Sequence, residues 1–363
     1  MLEALRFLQG LSFGFTVDEV LNGKPKTAAS DVWEGLRGGS KHAGFKRPDG
    51  KAMRPSFHAT LSCGSLSPVD YSITISAADR VVAREELSTN AGPVYETAKL
   101  KQDPSSRVLR TAYRNAKRLS FEASRPILSQ LPRSPKCDKQ DRALLEACSK
   151  TLGNIQRLDL DPRVLRQYSQ GGTAERMGDR GENFAGVVAE IAKSKASKAA
   201  YLEWLQQLSP DPVDDVKTFE GAYGEALFGI RYAGRDFPAA ALSDGTLRFA
   251  AIAAAFFQAS MPSLLLIEEV ETGVHPSRLR LLLDLLKSQA AATGTQVIVT
   301  THSPALIGWL GPRDFDTVFL CRRKGDSGAS VIHPLSDIRD IEEMVERQPI
   351  ERLFAENWLE SVL

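Results

Sequence analysis

Apolar and polar positions alternate with different periods along the chain, and the periods predict its elements. Leu2, Leu5 and Leu8, with Phe7, fall at helical spacing and predict a helix from the first residues. Residues 21 to 55 are rich in Gly, Lys, Pro and Ser and read as a loop with a short helix around Asp31 to Leu36. Ser56 to Cys63, Tyr71 to Ser76 and Arg80 to Leu87 alternate apolar and polar residues and predict an antiparallel meander. From Tyr95 to about Ser209 the pattern is mostly helical, broken at Pro126, Pro132, Pro135 and Pro162. Within it, Gly181 to Phe184 leads into a helix reaching about Ala192. A second helix covers Lys198 to Leu208, with Tyr201, Trp204, Leu205 and Leu208 on one face, read as core packing.

Strand-like runs return at Val216 to Phe219 and Ala226 to Ala233. A long apolar helix follows at Leu247 to Phe257, then buried strands at Leu264 to Ile267 and Gln296 to Thr301. The rest reads as a helix (Pro304 to Leu310), a strand (Thr317 to Leu320), a turn at Gly325 to Gly328, a strand (Ser330 to His333), and helices from Asp337 to Leu363. Apolar strands separated by helices argue for a largely parallel buried sheet.

Composition changes this picture little. The 363 residues are 42% hydrophobic and 25% charged, with a formal net charge of +1, so the whole-chain balance gives no strong pull toward nucleic acid or anionic membrane. Locally, Lys and Arg outnumber Asp and Glu about two to one between Glu96 and Lys150. A solvated helical face accounts for this. A basic helical arm meeting DNA phosphates is the sharper reading; without interleaved aromatics, any contact would be to the backbone. Cys63, Cys137, Cys148 and Cys321 are scattered, form no CxxC pair and give no disulfide framework, which suits a reducing, cytoplasmic setting. No apolar run approaches the ~20 residues that span a bilayer. Glu3 and Arg6 interrupt the N-terminal apolar residues, against a signal peptide.

Three polar clusters end or open the apolar runs between Ala241 and Ala305. Ser243-Asp244-Gly245-Thr246 opens the apolar helix; Ser243 or Asp244 can cap it, and Gly245 lets backbone come close to a phosphate. An ordinary capped helix explains the same residues. Glu268-Glu269 closes the strand Leu264 to Ile267, at the end where open α/β sheets place ligands. One carboxylate can hold Mg²⁺, largely through water, and the other can orient or deprotonate an attacking water. Two solvated acids at a strand end are the plain alternative. His302 closes the next strand, where it can sense a terminal phosphate or serve as a structural histidine.

Taken together and in order, LSDGTLR, LLLIEEVETGVHP and VIVTTHSP resemble the distal half of an ABC-type ATPase. The match is to the signature motif, Walker B with its following glutamate, the D-loop and the switch histidine. The likeness is to bacterial predicted ATPases of the AAA family related to RecF, SMC and overcoming-lysogenization proteins, in which LSDGTLR stands for the transporter-type LSGGQ. MLEALRFL resembles the helix just after the P-loop, the strands of residues 56 to 87 that group's first lobe, and IERLFAENWLESVL its tail.

The resemblance implies an α/β, ABC-ATPase-like P-loop NTPase fold, with a mostly parallel core sheet and an antiparallel lobe. The core would be residues 1 to 94 and 210 to 363, with an inserted helical arm at 95 to 209. It implies ATP and Mg²⁺ as cofactors, sandwiched at a head–head dimer with a second copy or a related ATPase subunit. Ser243, Asp244, Gly245 and Thr246 would meet ATP, with Ser243 and Gly245 reaching the γ-phosphate on the opposite subunit. Glu268 would be the Mg²⁺-associated acid, one methylene longer than the commoner Asp. Glu269 would be the catalytic glutamate and His302 the switch histidine. Glu271 to Val274 would form the D-loop, with Val270 where proline is usual. DNA, or a separate effector protein, would be the partner moved, in DNA repair or phage defence; no membrane is implied.

One half of such a site is missing from these residues. No G-x-x-x-x-G-K-[ST] occurs. Gly44 to Lys51 has one residue too many between its glycines, with Ala52 in place of Ser or Thr, and Gly38-Gly39-Ser40-Lys41 also fails. The expectation is that a first strand and P-loop are absent for one of three reasons: the start is assigned too far downstream, the gene is truncated, or a degenerate subunit supplies only the signature helix to a partner's ATP. A non-catalytic scaffold subunit that dimerises through the ABC fold is the alternative function. A metal-dependent nuclease using Glu268, Glu269 and His302 leaves LSDGTLR unexplained, and the chain leaves no room for a Toprim domain.

Overall fold

Why the first residues form a helix is visible in what they bury. In the computed structural model, which describes residues 2–24, 33–42, 54–64, 68–99, 106–111, 119–208, 213–324, 329–356 and 358, α1 (Leu2–Ser12) turns Phe7, Leu8 and Leu11 inward. A capping box opens α2 (Val17–Asn22): the Glu19 N–H donates to Thr16 Oγ1 at 3.1 Å, and the Thr16 N–H donates to Glu19 Oε2 at 2.7 Å. The short helix expected near Asp31 is not found at Trp33 to Leu36; it lies at α3 (Gly39–His42), while Asp31 and Val32 are outside the described residues.

These helices belong to the first of two units, Met1–Ile155. Its sheet is a six-stranded antiparallel meander in sequence order: β1 (Ser56–Leu61), β2 (Val69–Ser76), β3 (Val81–Thr89), β4 (Gly92–Lys99), β5 (Ser106–Thr111) and β6 (Leu119–Glu122). Alternation in β2 buries Val69, Tyr71, Ile73 and Ile75 on one face. The helical reading after Tyr95 fails over its first part, where β4, β5 and β6 stand. Tyr95 is buried and paired with Leu87 on one side and Thr111 on the other, so cross-strand packing overrides the local pattern. Two helices complete the unit, α4 (Ile127–Gln130) and α5 (Lys139–Gly153), the latter capped by Asp138, which accepts from the Asp141 N–H at 2.8 Å.

Fully buried Glu85 on β3 sits among these elements. Its carboxylate accepts from the Tyr71 and Tyr95 hydroxyls at 3.1 and 2.8 Å and from the Ile127 and Leu128 N–H groups at 2.6 and 3.0 Å. A buried charge demands such partners.

The second unit is Gln156–Leu363. At its border β7 (Ile155–Leu158) leads to α6 (Pro162–Leu165), α7 (Phe184–Lys193) and α8 (Lys195–Leu208). An antiparallel sheet follows, β8 (Val213–Glu220), β9 (Ala226–Tyr232) and β10 (Arg235–Pro238), with β9 in the middle. Then come α9 (Asp244–Ala254), β11 (Leu264–Ile267), α10 (Leu279–Thr293), β12 (Gln296–Val299) and α11 (Pro304–Ile307). The chain closes with the hairpin β13 (Phe319–Lys324) and β14 (Ala329–Pro334), then α12 (Ile341–Arg347) and α13 (Ile350–Ala355).

β11 and β12 are parallel, joined by α10, with Leu264 opposite Gln296 and Ile267 opposite Val299. The sheet order is β12-β11-β7, so β11 is central and all four of its residues are buried, as a run of Leu and Ile predicts. The second strand is shorter and less buried than its apolar sequence predicts. It ends at Val299, Gln296 is exposed, and Val297, Ile298 and Val299 are half-buried; β12 is one of the two edge strands of the three, the other being the better buried β7. The C-terminal strands form an antiparallel hairpin rather than extending a parallel sheet.

One core of this unit joins α7, α8, α9, β11 and α10. The Tyr201 hydroxyl of α8 donates to the Ala250 carbonyl of α9 at 3.0 Å. α7 and α8 thus share the core of α9. A smaller cluster of Ile307, Phe315, Leu335, Ile338, Ile341, Ile350 and Leu353 holds the C-terminal elements. Among the described residues no helix is long and apolar enough to cross a membrane.

Candidate functional site

The N-terminus of α9 is where the site begins. Ser243 is its N-cap: extended backbone lets Ser243 Oγ accept from the Thr246 N–H at 3.1 Å, with the Thr246 hydroxyl 2.8 Å away. Asp244, in the first turn, pairs with Arg166 at 2.6 Å, and the same guanidinium donates to the Leu242 carbonyl at 2.7 Å. Ser243 and Asp244 are exposed, whereas every residue from Leu247 to Phe256 is buried.

Gly245 is required by backbone. A Cβ there would lie 2.3 Å from the Gly273 carbonyl oxygen, so the signature-like turn packs directly on the loop after β11. Gly273 itself is left-handed, at φ 77°, which glycine adopts without strain.

The two carboxylates after β11 diverge, as expected at a strand end. The Glu268 N–H donates to the Leu158 carbonyl of β7 at 3.1 Å. Its Oε1 lies 2.7 Å from Arg157 Nε, in a pair with side chains only 11% and 15% exposed. Arg157 also reaches Asp159 at 2.8 Å. Glu269 is exposed and adopts φ 44°, a left-handed conformation that costs a β-carbon-bearing residue energy. Four groups hold it there. Its N–H donates to Thr300 Oγ1 at 3.0 Å, its Oε2 accepts from the Thr272 hydroxyl at 3.2 Å, and its carbonyl accepts from the Thr272 N–H at 2.9 Å and Arg248 Nη2 at 3.2 Å.

Arg248 is buried on α9 and also donates to the Leu160 carbonyl. Its Nε has no partner among the described residues. Burial lowers its pKa, opposed by Asp159, Glu269, Glu271 and Asp161. This side chain connects the signature-like helix to the backbone of Glu269.

His302 lies three residues beyond β12. Its backbone N–H donates to Glu271 Oε1 at 2.9 Å, and its side chain is exposed. Glu271 Oε2 is buried without a hydrogen-bond partner among the described residues. The loop from Glu268 to Val274 therefore touches α9 through Gly245 and Arg248 and the segment after β12 through Thr300 and His302. Val270, where proline is usual, is fully buried and its N–H donates to the Thr300 carbonyl at 3.2 Å, a bond proline could not make.

Gly245 packs on the loop that carries Glu269, and that loop is bonded to Thr300 and His302; Ser243 bonds Thr246, Asp244 bonds Arg166, and Glu268 bonds Arg157 and the Leu158 carbonyl. Sequence reasoning missed Arg157, Arg166, Arg248 and Thr300. Arg248 had a signal, a charge inside an apolar run; Arg157 had none. A groove of about 730 Å³ between α8 and α10, lined by Trp204, Phe257, Asp284 and Lys287 among others, contains none of the site residues.

As arranged, the residues do not fit a bound Mg²⁺. Glu268 Oε1 is engaged by a guanidinium, and no three His, Cys, Asp or Glu side chains converge into a metal-holding group among the described residues. For the phosphates, Gly38 to Lys41 forms part of α3 and its entry, and Gly44 to Lys51 lies outside the described residues.

A family model described as "AAA domain, putative AbiEii toxin, Type IV TA system" matches residues 191–308, from the end of α7 to just past α11. No curated protein matches the chain. Solved structures similar to it include an Smc head bound to the C-winged helix domain of ScpA, 15% identical over 74% of this chain and 76% of that one, TM-score 0.37. An SMC head domain from Thermotoga maritima is 13% identical over 74% of each chain, TM-score 0.31. An Smc head from Pyrococcus furiosus, with an extended coiled coil and bound to the C-terminal domain of ScpA, is 13% identical over 93% and 91%, TM-score 0.37. Superpositions this loose do not by themselves establish a fold. The matched segment contains the cap at Ser243, the Glu268–Glu269 loop and His302, and over residues 191–308 the chain thus carries a domain similar to the AAA ATPase family, in line with its ABC- and SMC-like motifs.

Proposed function

We propose that the chain is an ABC-type ATPase head that acts on ATP held between two heads. The observation that carries this reading is the junction of Gly245, Arg248 and the Glu268–Val274 loop, which joins an exposed helix cap to an exposed carboxylate. Ser243, Asp244 and Thr246 stand at the N-terminus of α9, where free N–H groups and the dipole favour an anion. In this reading Ser243 contacts the γ-phosphate on the opposite subunit, Glu269 orients and deprotonates the attacking water, and His302 contacts the phosphate being released. The resemblance assigns Glu268 to Mg²⁺, but Arg157 holds that carboxylate here, so no step of this reading runs through the metal. Opening of the dimer after hydrolysis moves a DNA or protein partner, in DNA repair or phage defence, in the cytoplasm.

The phosphate cradle must come from residues other than these, because no G-x-x-x-x-G-K-[ST] is present. The purified polypeptide is therefore expected to hydrolyse ATP poorly or not at all. Robust turnover abolished by Glu269→Gln would overturn that expectation. The coding DNA upstream of Met1 tests the function: an in-frame G-x-x-x-x-G-K-[ST] supports the ATPase. A stop codon without one supports a scaffold subunit that dimerises through this fold. The Arg157–Glu268 pair favours that second reading, since it already neutralises the acid a metal would need.

A further inference from the structure

Two cysteines 85 positions apart meet in the first unit. Cys63 lies two residues beyond β1 and Cys148 lies within α5, and their Sγ atoms are 3.6 Å apart. Both are buried, at 6% and 0% exposure, and both are free thiols. The Thr151 hydroxyl, one turn further along α5, points at the same Cys63 sulfur from 3.6 Å. Cys63 is flanked by exposed Ser62 and Gly64, so it is the sulfur a small solute reaches first.

We propose that Cys63 and Cys148 are an oxidation site, a dithiol that hydrogen peroxide converts to an intramolecular disulfide tying the segment after β1 to α5. Sulfurs at van der Waals contact must close to about 2 Å, a change that side-chain rotation can supply when the two residues already face each other. The chemistry balances. The Cys63 thiolate attacks one peroxide oxygen, the O–O bond breaks, and hydroxide leaves, giving a sulfenic acid at Cys63. Cys148 sulfur then attacks the Cys63 sulfur, the S–O bond breaks, and the departing hydroxide takes the Cys148 proton as water. Two thiols are oxidised and one peroxide is reduced to two waters.

The environment divides the roles the same way. The neighbouring Cys148 thiol and the Thr151 hydroxyl hold the Cys63 thiol below its ordinary range against the opposing effect of burial. The Cys148 thiol is pushed up by its bond to Cys63 and by burial, so it keeps its proton until the second step. Burial also pushes Cys137 up, which leaves it the poorer nucleophile. The disulfide would close a loop containing β2, β3, β4, β5, β6 and α4, and so restrict the unfolded chain strongly.

The test uses the full chain carrying Cys321→Ser, which removes the exposed thiol that could link two molecules. After hydrogen peroxide at neutral pH, the intact mass is expected to fall by two hydrogens. Only Cys137 should then react with a thiol reagent in denaturant, and digestion should yield a Cys63–Cys148 linked peptide. Dithiothreitol should reverse all three changes, and the oxidised form should melt at a higher temperature. A sulfinic acid at Cys63 with no linked peptide overturns the proposal. So does a link through Cys137, or full retention of thiols at peroxide levels that oxidise free cysteine. Cys63→Ser and Cys148→Ser should each abolish the mass loss; the linked peptide from the Cys321→Ser chain decides the matter if either fails to fold.

Discussion

Arg157 Nε lies 2.7 Å from Glu268 Oε1, so the first acid after the central strand is bound by its neighbour strand. Both side chains are largely buried, and removing Arg157 takes from Glu268 the guanidinium that holds its Oε1. Arg157→Ala is expected to destabilise the second unit by about 2–4 kcal/mol, with Glu268→Gln costing less because the amide can still accept a hydrogen bond. Urea denaturation of the two variants checks the order; equal, negligible losses would mean the pair carries no weight in the fold.

Arg248 spans from α9 to the Leu160 and Glu269 carbonyls. Arg248→Met keeps most of its volume and removes both bonds, at an expected cost of about 2–3 kcal/mol. Because Glu269 is held at φ 44°, the loop should also relax, which hydrogen exchange at residues 269–274 would report as faster exchange.

Gly245→Ala brings a methyl group against the Gly273 carbonyl, where the ideal position is 2.3 Å away. Backbone must move, so a loss of about 1–3 kcal/mol is expected even though alanine favours helix. Gly294→Ala, at a left-handed helix end with nothing within 4 Å, separates the two effects: it tests conformation without contact. A Gly245→Ala chain as stable as the parent would contradict the packing.

Ser243→Ala removes the cap of α9 and should cost about 1 kcal/mol by denaturation. Ser243→Asp keeps a capping oxygen and should recover most of that stability, while its charge would repel a phosphate. Recovery of stability without recovery of nucleotide-dependent dimerisation would separate the fold from the proposed function.

Burial pushes the Glu85 carboxyl up from its ordinary 4.5, against the lowering by hydrogen bonds from Leu128, Ile127, Tyr95 and Tyr71. An acid that binds its proton more tightly when folded stabilises the fold fully below the unfolded value. That contribution is lost as pH rises through the higher folded value. Unfolding free energy should therefore contain a component that falls from pH 4.5 upward, and Glu85→Gln should lack it. Parallel pH profiles for parent and variant would rule this out.

These residues also mark what the sequence could and could not say. Leu264 to Ile267 is legible because four apolar residues bounded by polar ones fit a central strand, and the structure has that strand with the same ends. Ser243 is legible as a cap because only its neighbours matter. Arg157 is not: its partner is 111 positions away, and nothing in IQRLDL distinguishes a paired arginine from a solvated one. The strands after Tyr95 were hidden for a related reason. Their stability comes from pairing with β3 and with each other, while the local pattern reads as helix. β12 shows the converse, since its apolar sequence cannot report that it lies at an edge.

The helix α9 is sunk into its unit like a nail, with only the head, Ser243 to Thr246, near the surface. Alanines at 250, 251, 253, 254 and 255 leave its shaft no slack, for they are fully buried. What the head touches is fixed by three contacts: Asp244 on Arg166, Gly245 on Gly273 and, one turn on, Arg248 on the carbonyl of Glu269.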